Sequence, residues 1–419
     1  MKICIVGFNY LPESTSIGPY TADLAEYLQR RGHDVRVVTG FPIAPQWKIW
    51  EGYRGRRFMR EVINGVPVHR TYTYVPENPK RALQRILFDC SFAASALVGA
   101  LFGPRPDLVI AISPPLQLAV TGWIVGLLRG SKMFLQIQDL VPDAAVAVGA
   151  MREGSRSLKL ARALERFAYR KAGGIGVICE GMRRNLLAKG VPSGKVAMLP
   201  NYIDSGFIRP MPKNNGFRQR FGIPANEFLV VYSGSVAAKQ GLQTFVEAAA
   251  LLPPAGITCC LIGEGPHLAE LQAIATTLNA RFRFLPLQPR ETLSEQLSAA
   301  DVLVITQKKS VMDIVFPGKL LYYMSSGRPI LAAVSADSET GKFIHENRVG
   351  TVVPPEDPRL LADAILRMRD NPLISDRCGA NGRSMVETRF DRQVVLDNMA
   401  TYLETGRRNA PLAAAETRT

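Results

Sequence analysis

The sequence predicts an α/β protein built from two doubly wound, Rossmann-like parallel-sheet domains, and three observations carry that prediction. Short β-branched or apolar runs alternate with helical patterns from end to end, as in parallel sheets covered on both faces. The alternation starts afresh after a Pro/Gly/Asn-rich stretch at residues 205–216. A chain of 419 residues also exceeds one ordinary core, so two domains of about 200 residues each are expected.

In the first half the expected strands are KICIVGF (2–8), VRVVT (35–39), LVIAIS (108–113), KMFLQIQ (132–138), GIGVICE (174–180) and VAMLP (196–200). YTADLAEYLQRRG reads as a helix, because Ala22, Ala25 and Leu28 recur at helical spacing and Gly32 ends the pattern. The second half repeats the scheme with FLVVYSG (228–234), ITCCLIG (257–263), FRFLPL (282–287), VLVIT (302–306), PILAAV (329–334) and GTVVPP (350–355). The expected organisation is a first domain over 1–204, a linker over 205–216 and a second domain over 217–388. A helix over 389–406 is expected to return to the first domain, followed by a disordered tail over 407–419. Ligands of open parallel sheets bind beyond the carboxyl ends of the strands, so the cleft between the domains is the expected site.

Composition narrows the function classes. With 47% hydrophobic and 21% charged residues the chain is a folded globular protein. Its six cysteines form no C-x-x-C pair and lie mostly in apolar runs, which speaks for buried thiols in a reducing compartment and against a disulfide scaffold or zinc site. No D-x-D motif appears, and no metal or cofactor is expected. The opening MKICIVGFNYLPE runs into a strand and a turn without a signal-peptide pattern, so a cytoplasmic location is expected. The first βα turn, GFNYLPESTSIGPY, is not G-x-G-x-x-G, which argues against a dinucleotide-dependent dehydrogenase.

The net charge of +15 is uneven: 27 Lys/Arg stand against 15 Asp/Glu in residues 1–205, and 24 against 21 in the rest. A basic first half suits an anionic partner, although a solvated basic face is the simpler reading. The stretch WEGYRGRRFMR (50–60) interleaves aromatics with arginines, and ILFDCSFAASALVGALFG (86–103) is long and apolar apart from Asp89. Together they suggest a peripheral membrane dock, with the apolar stretch buried or interfacial and not spanning. Nucleic-acid binding has no motif in its support.

Several segments, in order, resemble a known family: IGPYTADLAEYLQRRGHDVRVVT (17–39), VICEGMRRNLLAKGVPSGKVAMLPNYID (177–204), YSGSVAAKQGLQTFVEAA (232–249), LIGEGP (261–266), FLPLQPRETLSEQLSAADVLV (284–304) and ETGKFIHENRVGTVVPPEDPRLLADAI (339–365). They resemble the retaining nucleotide-sugar glycosyltransferases of family 4, which have the GT-B fold. FPIAPQWKIWEGYRG, NGVPVHRTYTYVPENPKRALQRILFDCSF and LQIQDLVPDAAVAVGAM are similar to the colanic-acid-type exopolysaccharide branch, which includes a fucosyltransferase assignment.

The resemblance implies roles for particular residues. Lys239 matches the lysine of an R-x-x-x-K-G pattern that neutralises the leaving diphosphate; Ser235 stands near the arginine's position, and Lys319 is the candidate replacement cation. Ser233, Gly234, Gly263 and Glu264 correspond to the loops bordering the nucleotide, and Leu285 and Leu287 to the base-side strand end. Phe316, Pro317, Gly318, Lys319, Leu320 and Tyr322 cover the segment where the family usually places two glutamates. Here those positions fall on Ile314, with Asp313 beside it, and on Tyr322, so a tyrosine replaces the ribose-binding carboxylate or simply packs a helix. Gly18 is expected to present backbone N–H groups to the diphosphate from the first domain. Asp139, after a strand end where relatives carry His or Asp, is the candidate at the reacting sugar; its alternative, shared with Asp143, is a helix N-cap. None of the four histidines occupies that position.

The implied function is retaining transfer of a sugar from a GDP- or UDP-linked donor to a polyprenyl-diphosphate-linked glycan, peripherally on the inner membrane face. A GT-B nucleotide-sugar epimerase and a non-catalytic transferase-like subunit are the alternatives.

Overall fold

The computed structural model describes residues 1–14, 17–79, 81–147, 151–310 and 318–406. The chain divides into two compact units, the first formed by Met1–Pro200 and the chain from Leu396 on, the second by Asn201–Val395.

The first unit runs β1 (Lys2–Val6), α1 (Gly18–Arg30), β2 (Asp34–Thr39), β3 (Phe58–Ile63), β4 (Val66–Thr71), α2 (Ala82–Leu101), β5 (Leu108–Ser113), α3 (Leu118–Arg129), β6 (Lys132–Ile137), α4 (Val141–Ala147), α5 (Arg156–Lys171), β7 (Gly174–Val177), α6 (Glu180–Ala188) and β8 (Val196–Met198). Its eight strands lie in the order β3-β4-β2-β1-β5-β6-β7-β8, all parallel except β3. The six strands read from the sequence are present. The hairpin β3–β4 is an addition, formed because Asn64 and Gly65 take positive φ (50° and 83°), the type I′ geometry that matches strand twist. WEGYRGRRFMR therefore becomes a short 3-10 turn and the start of the edge strand β3, where Arg60 and the arginines just before the strand discourage edge-to-edge pairing.

Both faces of this sheet are covered. On one, Phe88 and Phe92 of α2 pack edge-on against Phe8 at ring distances of 4.6 and 5.1 Å. Arg36 of β2, itself buried, donates to the carbonyls of Gly99, Ala100, Phe102 and Pro104 and so satisfies the C-terminal end of α2. In the first unit's last helical segment Glu404 pairs with Arg31 and His33, and Tyr402 meets Phe134 edge-on.

The second unit runs α7 (Gly216–Arg220), β9 (Phe228–Ser233), α8 (Gln243–Ala250), β10 (Ile257–Ile262), α9 (Leu268–Thr277), β11 (Phe282–Leu285), α10 (Leu293–Ser298), β12 (Val302–Thr306), α11 (Gly318–Ser325), β13 (Ile330–Ala333), α12 (Glu339–Glu346), β14 (Gly350–Val353), α13 (Pro358–Asp370) and α14 (Pro372–Met385); α15 (Arg392–Thr405) carries the chain back to the first unit. Its six strands form one parallel sheet, β11-β10-β9-β12-β13-β14, with a separate apolar core on each face. Residues 205–216, expected as a linker, belong to this unit. Ile208 is buried, and the Arg209 and Met211 amides donate to Ser294 Oγ and Ser298 Oγ at 2.8 and 3.1 Å, so the segment is pinned despite its turn-rich composition. The expected tail over 407–419 lies outside the described residues.

Candidate functional site

In the second sheet the connections leave β9 in both directions, toward β10 and β11 on one side and toward β12 on the other. The carboxyl end of β9 is thus the topological switch point, where such sheets leave a crevice. Backbone bonds step the neighbouring strand ends together. The Gly234 amide donates to Ile262 O (2.9 Å), the Val236 amide to Glu264 O (2.9 Å) and the Gly263 amide to Leu285 O (3.1 Å). A Cβ on Gly263 would lie 1.9 Å from the carbonyl oxygen of Gly234, so only glycine allows this approach. Gly263→Ala is expected to push the Ser233–Ser235 loop away and to lower both ligand affinity and Tm. An unchanged ligand-induced Tm shift in that variant would show the loop to be irrelevant to binding.

Ser233 is held from three sides. Its amide donates to the Tyr323 hydroxyl (2.9 Å), that hydroxyl donates to the Ser233 carbonyl (3.0 Å), and Gln296 Nε2 donates to Ser233 Oγ (2.6 Å). Helix α11 turns Tyr323 inward, fully buried, while Tyr322 is 36% exposed. Leu320 is buried in the core, whereas Gly318 opens the helix in solvent. Phe316 and Pro317, with Ile314 and Asp313, lie outside the described residues. Leu285 is half-buried at the end of β11; Leu287, beyond it, is 61% exposed. Glu264 and Ser235 are exposed at the loop tips.

Two lysines converge here. Lys319 Nζ lies 3.8 Å from the centre of the Tyr232 ring, donates to its hydroxyl at 2.6 Å, and stands 3.1 Å from where a Cβ on Gly234 would lie. The Tyr232 hydroxyl in turn donates to Ser235 O at 2.7 Å. Burial, reinforced by the charge of Lys239, brings the Lys319 pKa down to about 7. Lys239 is exposed in the 3-10 turn Ala238–Gln240. That turn is tied to the end of β12 by the Lys308 amide donating to Lys239 O (3.1 Å) and Thr306 Oγ1 donating to Gln240 O (2.6 Å). A strand end bordered by two lysines, one of them partly discharged chiefly by its desolvation and further by its neighbour, is chemically an anion receptor.

In the first unit, Asp139 follows β6. Burial raises its pKa, partly opposed by a hydrogen bond from the Leu140 amide, and its Oδ1 is buried with no partner among the described residues. A desolvated carboxyl with an unfilled acceptor is suited to hold a hydroxyl or exchange a proton. Asp143 is structural: its Oδ2 accepts from Lys189 Nζ (2.6 Å) and Asn185 Nδ2 (3.1 Å), tying α4 to α6. Gly18 opens α1 without a side-chain cap, against the carbonyl of Glu13. Among the described residues no group of three His, Cys, Asp or Glu is placed to hold a metal ion.

Sequence reasoning did not single out Tyr232, Gln296, Thr306 or Tyr323, which build the second unit's strand end. A polar aromatic closing the apolar run LVVY was the available signal for Tyr232. Gln296 gave none, because its role depends on where α10 meets β9.

Comparison with known proteins fits this geometry. Residues 15–202 match the glycosyl transferase 4-like domain, and residues 227–371 match the glycosyl transferases group 1 domain. The chain is 30% identical over 404 residues to WcaI of Escherichia coli (strain K12), named for colanic acid biosynthesis glycosyl transfer; the match covers 94% of this chain and 98% of that protein. It is 24% identical over 299 residues to the glycosyltransferase WbjE of Pseudomonas aeruginosa, covering 71% and 74%. Among solved structures, Anabaena Alr3699/HepE in complex with UDP superposes with a TM-score of 0.72 at 19% identity, covering 97% of this chain and all of that one. WaaG, a glycosyltransferase involved in lipopolysaccharide biosynthesis, gives 0.66 at 17%, covering 97% and 100%. The fold similarity is that of GT-B proteins.

Proposed function

This chain belongs to the glycosyltransferases, with a 4-like N-terminal and a group 1 C-terminal domain, and from that premise we propose that it is a retaining enzyme using a nucleoside-diphosphate sugar. Its acceptor in this reading is a lipid-linked glycan of exopolysaccharide or lipopolysaccharide type, used peripherally at the cytoplasmic face of the membrane. The observation that carries the donor half is the pairing of Lys239 with the half-buried Lys319 at the β9 switch point. Support comes from Alr3699/HepE, a protein of like fold crystallised with UDP and with UDP-glucose. The names of WcaI and WbjE point to surface-glycan synthesis.

In the proposed reaction the bond between the sugar's anomeric carbon and the diphosphate oxygen breaks with its electron pair leaving on the diphosphate. An acceptor hydroxyl oxygen bonds to that carbon on the same face, and its proton passes to the departing diphosphate. Lys239 and Lys319 offset the charge that grows on the phosphate oxygens, which lowers the barrier because they are already in place. Ser233, Gly234 and Glu264 line the nucleotide, and Asp139 of the first unit orients sugar hydroxyls.

The test is a thermal-shift panel of UDP, GDP and ADP and their sugars, followed by nucleotide release with and without membrane lipid extract. One nucleotide is expected to raise Tm, because binding to the native state adds about 2.7 kcal/mol of stability at a hundred times its Kd. Its sugar is expected to release nucleotide only when lipid extract is present. Conversion of the donor sugar without any acceptor would replace this reading by an epimerase.

A further inference from the structure

We infer that the outward face of α2, continued by the C-terminal end of α3, is a docking surface for an anionic lipid bilayer. The inference deepens the reading of a lipid-linked acceptor, and rests on it only for its biological purpose.

Helix α2 is apolar on both sides. Phe88, Phe92, Ala96, Gly99 and Ala100 are buried against the sheet. The opposite side exposes Leu83 (70%), Ile86, Leu87, Val98 and, one residue past the helix, Phe102 (67%). These recur at helical spacing from one end to the other, so they form one stripe. Beside its far end α3 adds Leu127 and Leu128, both more than 60% exposed. A helix apolar all round is ordinarily enclosed by protein or by lipid, and a continuous exposed stripe of this length marks a contact surface.

The rim selects the occupant. Arg81 and Arg85 stand at the N-terminal end, Arg85 stacked at 5.1 Å on both Trp47 and Phe88. At the other end Arg105 lies against Gly130, and Arg129 donates to Gly103 O at 2.6 Å. Asp89 is the sole acidic residue of α2; it is turned inward and paired with Arg85 at 3.5 Å. An apolar stripe with a cationic rim complements acyl chains beneath anionic headgroups. A second copy of the chain would bring arginine rim against arginine rim, which opposes self-association.

The geometry also fixes the mode of contact. By length and composition α2 is able to cross a bilayer. Its inner side, however, is locked to the sheet by Phe8 and by the four carbonyls held on Arg36, and to α3 by Thr121 Oγ1 donating to Ala93 O (2.9 Å). Leaving the sheet would strip a buried arginine of its acceptors. The helix, about 30 Å long, lies flat in the interface.

Flotation of the full chain with vesicles of equal parts phosphatidylglycerol and phosphatidylcholine, against pure phosphatidylcholine, tests this at low salt. The wild type is expected to float with the anionic vesicles and less with the neutral ones. The variant Leu83→Ser/Ile86→Ser/Leu87→Ser is expected to lose about tenfold in vesicle partitioning, with Tm unchanged because these side chains are exposed. A second variant at the other end, Phe102→Ser/Leu127→Ser, is expected to behave alike, and Arg81→Gln/Arg105→Gln to lose binding to the anionic vesicles selectively. A wild type that stays wholly soluble, or stripe variants that float as well as it does, would overturn the inference. So would a solution dimer that the stripe variants dissociate while vesicle binding is absent throughout. The readout contains no turnover and no nucleotide, so loss of the donor reading leaves the flotation result standing, and the reverse.

Discussion

Lys239→Ala is expected to reduce kcat about 10²–10³-fold, equivalent to roughly 3–4 kcal/mol of lost transition-state stabilisation, while Tm stays within the range of a surface substitution. The side chain is exposed in the turn after β9, where the residue's backbone carbonyl accepts from the Lys308 amide. Removing the ammonium therefore costs the fold little. In the proposed reaction it costs much, because negative charge on the diphosphate peaks as the sugar departs. Lys239→Arg retains the charge with a different shape and is expected to recover part of the rate. Nucleotide release with acceptor present measures both variants; turnover of Lys239→Ala close to wild type would remove Lys239 from the reaction.

Lys319→Met is expected to weaken nucleoside-diphosphate binding and, in the free protein, to raise Tm. Both follow from one fact. Lys319 is nearly buried, and its pKa falls from the ordinary lysine value of 10.5 to about 7. Because the folded value lies below the unfolded one, the unfolded chain holds more protons between about pH 7 and 10.5. Stability from this group therefore rises with pH through that window and is lowest at and below pH 7. Methionine removes that cost. A bound diphosphate reverses the preference by favouring the ammonium, so binding takes up a proton above pH 7. Wild-type affinity is expected to fall about fivefold between pH 7 and 8, a slope absent from Lys319→Met. Calorimetric titration in two buffers of different ionisation enthalpy measures the proton uptake directly. Identical pH profiles for wild type and variant would show that Lys319 does not meet the diphosphate.

The two effects describe a trade. The resembling family places an arginine near Ser235, a group that stays charged wherever it is put. Here a lysine from α11 reaches the same strand end and rests on the Tyr232 ring, its pKa lowered chiefly by desolvation; in the proposed reaction an anion would restore its charge. Activity that depends on a destabilised buried amine is the expected signature of a site tuned for its ligand.

Much of the fold was legible in the sequence. Continuous apolar runs such as LVIAIS and ITCCLI, short and rich in β-branched residues between turn signals, read as strands buried on both faces, and β5 and β10 are that. The hairpin β3–β4 was also within reach, since Asn64-Gly65 is a strong turn signal, but its strands alternate burial and so lack a continuous apolar run. The linker reading failed for a different reason. Pro, Gly and Asn report local turn propensity, whereas the docking of Ile208 and its neighbours on α10 and α11 is a tertiary contact.

By itself the sequence determined the class of the protein: two parallel α/β units, a lysine at the strand-end turn of the second, and an apolar helix with arginines at its ends. These depend on periodicity and local spacing, which are properties of the chain. Only the tertiary structure decided that Tyr323 and not Tyr322 faces Ser233, that Asp143 is spent on Lys189 while Asp139 keeps an unfilled oxygen, and that Lys319 rests on the Tyr232 ring. It also decided that half of α2 remains in solvent. Each of these outcomes turns on which side chains distant in sequence share a low-dielectric neighbourhood, and local spacing carries no record of that.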